Sequence, residues 1–102
     1  MFDMIGKLGQ MKKAMEEVKA RLDHITVLGE SGEGSVKVTM TGNMEVRSIE
    51  IHERYLNVDR KEELQELTEL AMNRAVTQAR SVMESEMKSV SQGFLPGFPG
   101  LS

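Results

Sequence analysis

Between Leu22 and Val36 the spacing of apolar side chains changes period, and that change limits what the chain can fold into. From Met4 through Leu8, Met11, Met15, Val18, Leu22 and Ile25 the steps alternate between four and three, the heptad seam of a helix that packs against another helix. Val36, Val38 and Met40 then alternate with Lys37, Thr39 and Thr41, the two-residue repeat of a strand buried on one face. A helix followed by strands is therefore the starting expectation.

Glycines punctuate the rest. Gly6 and Gly9 weaken the first helical turns, because glycine costs about 1 kcal/mol relative to alanine inside a helix, so the firm part of the helix is expected from near Gln10. Ile25 to Glu30 reads as a first strand, Ser31 to Gly34 as a turn, and Val36 to Thr41 as a second strand. Gly42-Asn43 suits the positive backbone angles of a tight hairpin. In the third strand the apolar set moves from Met44 and Val46 to Ile49 and Ile51, a change of parity around Arg47-Ser48. A bulge explains it, and so does burial of both faces at the strand's far end.

Asp59 is placed to cap a second helix and Glu62 to reach back to it. Leu64, Leu67, Ala71, Ala75, Ala79, Val82 or Met83, and Val90 mark its inner face, and Gly93 is its stop signal. From Leu64 to Gln92 this rod spans roughly 40 Å, longer than a three-stranded sheet can cover. The fold class is α+β: an N-terminal helix, a three-stranded antiparallel sheet and a long C-terminal helix. One domain is assigned to 1–92, with a flexible Gly/Pro-rich tail at 93–102.

A chain of 102 residues buries a limited share of its surface, so pairing with a second copy is expected. The 13 Lys and Arg against 16 Asp and Glu give a net charge of −3, which is not the signature of a protein coated onto nucleic acid. Cysteine is absent, which removes disulfides, thiol nucleophiles and thiolate zinc sites. No signal peptide is visible, and no apolar run approaches the roughly 20 residues of a membrane helix. The expected location is the cytoplasm.

The glycine cluster invites a search for a phosphate loop. Gly29 and Gly34 have its separation, but Ser35 and Val36 stand where it needs a lysine and a hydroxyl residue. The nucleophile elbow fails as well, because Gly29-Glu30-Ser31 continues with Gly32-Glu33. His24 and His52 form no helical pair, and Glu50 and Glu53 have the pattern of solvated charge. No catalytic, cofactor-binding or metal-ligating set emerges, and no small-molecule substrate is implied. Positive charge is nevertheless displaced toward the helices: residues 1–24 hold five Lys and Arg against four acids, and residues 25–59 hold three against six.

The chain resembles the YbaB/EbfC family of bacterial nucleoid-associated proteins. The resemblance rests on "LGQMKKAMEEVKARL", "VLGESGEGSVKVTMTGNMEVRSIEIH", "YLNVDRKEELQEL" and "SVSQGFLPGFPG". The central G-x-S-G-x-G-x-V-x-V-x-x-x-G pattern is matched by Gly29, Ser31, Gly32, Gly34, Val36, Val38 and Gly42. "IHERYL" departs from the Asp-Pro turn that often follows the family's third strand. The resemblance implies a tweezer-like homodimer whose sheets join, whose helices project as arms, and whose partner is double-stranded DNA. On those arms, charge selects Lys7, Lys12, Lys13, Lys19 and Arg21 on the first helix and Arg74, Arg80 and Lys88 on the second as DNA contacts. The alternative use of the same arms is as a protein-interaction scaffold.

Overall fold

The computed structural model describes residues 2–94. The first helix, α1, runs over Phe2–His24 and closes where the Ile25 N–H donates to the Leu22 carbonyl at 3.3 Å. It begins well before Gln10: Gly6 and Gly9 sit inside it with open space around them. Isolated glycines lower helix stability without ending a helix that its neighbours favour.

Strands β1 (Thr26–Ser31), β2 (Val36–Thr41) and β3 (Val46–Ile51) form an antiparallel sheet in the order β1-β2-β3. The glycine-rich segment between β1 and β2 is a turn: Gly32, Glu33 and Gly34 have φ of 61°, 57° and 84°, and the Ser35 N–H donates to the Gly32 carbonyl at 3.1 Å. The second hairpin differs from expectation. Its positive φ, 65°, falls on Met44 and not on Gly42 or Asn43, with Thr41 N–H donating to the Glu45 carbonyl at 2.8 Å. That is the three-residue loop in which a left-handed residue follows a turn. Gly42 serves the approach of α1 instead, since a Cβ there would lie 2.7 Å from Leu22 Cδ2.

A bulge accounts for the parity change in β3. Thr39 pairs with Ser48 and Met40 with Val46, so Arg47 is the extra residue. It places Val46, Ile49 and Ile51 on the same sheet face as their partners Met40, Val38 and Val36. The other explanation, burial of both faces, does not hold in the isolated chain, where every residue of β3 is exposed.

After two short 3₁₀ turns, Glu53–Tyr55 and Val58–Arg60, the second helix, α2, spans Lys61–Phe94. Asp59 is not its cap. Asn57, extended at φ −147°, accepts the Arg60 N–H on Oδ1 at 3.0 Å, and Asp59 lies within the 3₁₀ turn that leads into the helix. Gly93 does not stop it either, as α2 continues to Phe94. Of the tail, residues 95–102 lie outside the described residues.

The core forms where α2 crosses β1 and β2. Ala71, Ala75 and Ala79 are 0% exposed against Val36, Val38 and Met40. The approach is close because β1 offers Gly29: a Cβ at that position would stand 2.2 Å from the Ala71 carbonyl oxygen and 2.4 Å from the Ala75 nitrogen. Small residues on both elements thus let helix and strand backbones meet, while β3 lies beyond the helix's cover. The molecule measures 66 × 26 × 16 Å. Its long dimension exceeds the roughly 51 Å of α2 alone, so the free end of α1 projects past the body.

Candidate nucleic-acid interface

The arm is built from α1 and the C-terminal part of α2. Val18 and Leu22 are buried at its root, and Arg21 Nη2 meets Glu86 Oε2 at 3.1 Å, the one ion pair among the described residues. Farther out the seam is uncovered: Leu8 is 63% exposed, Met11 and Met15 are exposed too, and Ile5, beside the seam, is 66% exposed. The heptad pattern is therefore a helix, as its period predicts, but half of its apolar stripe is left exposed.

Lysines flank that stripe. Lys12 and Lys19, two turns apart, share one side; Lys7 and Arg21 share the other, and Lys13 lies on the back of the helix. All five are exposed. On α2, Arg80 and Lys88 are exposed on the face turned away from the buried alanines. Arg74 stands apart from the arm. It lies over the sheet, and its Nη1 donates to the Glu30 carbonyl at 2.7 Å. The structure thus gathers Lys7, Lys12, Lys13, Lys19 and Arg21 on one projecting rod, adds Arg80 and Lys88 on its neighbour, and separates Arg74 from them.

The residues tested for chemistry fall elsewhere. His24 is exposed at the end of α1, and His52 accepts the Arg54 N–H on Nδ1 at 3.1 Å, capping the turn that follows β3. No group of three metal-ligating side chains occurs among the described residues. The two grooves flanking β1 include Arg74 but not His52, Glu50 or Glu53.

Two arrangements had no signal in the periodicity. Tyr55 is buried with the Arg54 and Arg60 guanidiniums 5.4 and 5.2 Å from its ring centre, which gives the "IHERYL" segment a local core of its own. Gln78 Nε2 donates to the Leu28 carbonyl at 2.7 Å, beside the bond from Arg74. Both depend on folded geometry that residue spacing does not carry.

The α+β body thus carries a projecting helical arm flanked by exposed lysines. Residues 1–94 match the YbaB/EbfC DNA-binding family, and the chain belongs to it. It is 34% identical to a nucleoid-associated protein of Flavobacterium johnsoniae over 96% of this chain and 91% of that one. It is 38% identical to a nucleoid-associated protein of Beijerinckia indica subsp. indica over 91% of this chain and 95% of its relative. The fold is shared with an uncharacterized protein of Helicobacter pylori in its crystal structure, with a TM-score of 0.71 at 24% identity over 90% of this chain and 92% of that one.

Proposed function

We propose that this chain is a nucleoid-associated protein that binds double-stranded DNA as a homodimer through its helical arms, with no catalytic step. Membership of a DNA-binding family supports the activity. The observation that carries its placement is the arm itself, where exposed lysines line a rod standing clear of the acidic body. Lys7, Lys12, Lys13, Lys19, Arg80 and Lys88 are the proposed contacts. Arg21 and Arg74 rank below them, because Glu86 and the Glu30 carbonyl already engage their guanidiniums. Lysine ammonium groups neutralise phosphates and discriminate little between bases.

Pairing is proposed through β3. Val46, Ile49 and Ile51 are 41%, 46% and 37% exposed on a face that continues the core, so a second copy laid against them would extend that core. A dimer carries −6, twice the −3 of one chain, so long-range attraction to DNA depends on the arms concentrating positive potential.

Fluorescence anisotropy on a short duplex at low and moderate salt tests the assignment. Lys12→Glu/Lys13→Glu is expected to weaken binding about tenfold or more and to lower the salt slope by about 0.9 for each phosphate left unneutralised. Unchanged binding in that variant removes the arm lysines from the interface. Failure of the parent to bind at low salt removes DNA as the partner. The exposed apolar side chains of Ile5, Leu8, Met11 and Met15 favour a second reading, a protein-interaction scaffold. A pull-down that survives nuclease treatment, with no DNA binding by the parent, would support it.

A further inference from the structure

We propose that Arg74 and Gln78 guard the β1 edge of the sheet and so confine self-association of this chain to β3, a conclusion that rests on the homodimer reading. A three-stranded sheet has two outer edges, and each presents a row of backbone donors and acceptors on which another chain can pair. Here the two edges are treated differently.

Along β3, the His52 N–H donates to the Ser35 carbonyl at 2.7 Å and the Thr41 N–H to the Glu45 carbonyl at 2.8 Å. Antiparallel alternation then turns the backbone groups of Ser48 and Glu50 toward β2 and those of Ile49 and Ile51 outward. That edge is open. Along β1, the Gly42 N–H donates to the Ile25 carbonyl at 2.9 Å, so Val27, Gly29 and Ser31 bond to β2 while Thr26, Leu28 and Glu30 point outward. Two of these three outward carbonyls are occupied, Leu28 by Gln78 and Glu30 by Arg74, each at 2.7 Å.

The match is geometric. Ser31 Oγ donates to the Leu67 carbonyl at 2.6 Å, and Gln78 reaches Leu28, so α2 runs antiparallel to β1. Four residues of helix advance about 6 Å and two of strand about 6.6 Å. Side chains four apart on α2 therefore meet alternate carbonyls of β1. Gly29 brings the helix near enough for them to reach around the rim.

With the Leu28 and Glu30 carbonyls of one edge taken up by side chains of α2, two β3 edges that meet about a twofold axis consume the remaining edge. The assembly closes as a dimer and cannot grow by adding strands. Arg74 thus acts in assembly, as a positioning group for the sheet rim.

Arg74→Met/Gln78→Met tests this, since it keeps the stems and helix propensity and removes the donors. Sedimentation velocity over a concentration series, with far-UV circular dichroism to verify folding, is expected to show the parent at constant mass. The variant's weight-average mass should rise with concentration to about twice the parent's or more. Amide hydrogen exchange should slow at Leu28 and Glu30 as that happens. Adding Leu28→Pro, which removes an outward N–H without breaking a bond to β2, should restore the parent's mass. A double variant that keeps the parent's mass throughout, or that assembles without protection of those amides, overturns the proposal. A monomeric parent sinks the homodimer reading alone, because growth of the variant through β1 would still report the guard.

Discussion

The body of this molecule and its arm use the same kinds of residue to opposite ends. Over β1, alanines and a glycine bring two backbones together until Ala71 and Ala75 are wholly covered, and nothing larger fits. On α1, Ile5 and Leu8 stay mostly exposed, and β3 likewise offers its apolar side chains to solvent. Close packing fixes the platform. The uncovered apolar surface at its margin is where the proposed pairing would act.

Three measurements break or sharpen that contrast. Gly29→Ala is expected to have the largest effect, because its methyl group would collide with backbone atoms of α2 that cannot rotate away. A drop of about 3 kcal/mol or more is expected in chemical denaturation, a large share of a small domain's stability. Retention of the parent's midpoint would mean that the body is looser than its geometry. Ile49→Asp comes next. It should leave helix content intact and weaken dimerisation about a hundredfold, equivalent to roughly 2.7 kcal/mol, read by ultracentrifugation. An unaltered dissociation constant would move the interface away from β3. Glu86→Gln should change least, by about 0.5 kcal/mol or less, because its partner Arg21 is half exposed and water screens the pair. A change several times larger would show the arm's root to be as tightly coupled as the body.

Most of the fold is legible in the order of residues. The change of period near Ile25 separates α1 from the sheet, the parity change at Arg47 marks the bulge, and the alanine spacing of α2 names its buried face. What failed was local competition. Asp59 looked like the helix cap until Asn57, two residues earlier, took that role ahead of a 3₁₀ turn. Gly42-Asn43 looked like the source of positive φ, but α1 needed the space at Gly42 and the left-handed angle passed to Met44. The candidate contacts were partly legible: charge and period placed the lysines on α1. Neither could show that Arg74 turns back onto a strand carbonyl, because a hydrogen bond between residues 44 apart leaves no trace in spacing.

Arg47 gives the third strand a place where its length can vary. Because Val46 already stands opposite Met40 and Ser48 opposite Thr39, a gene lacking the Arg47 codon would encode a straighter strand with the same side chains facing the same way. Losing the Ile49 codon would be a different matter. Ser48 would slide into its place opposite Val38, setting a hydroxyl in the middle of the apolar row. Of two neighbouring deletions equal in size, lineages of this protein can therefore carry the first far more readily than the second.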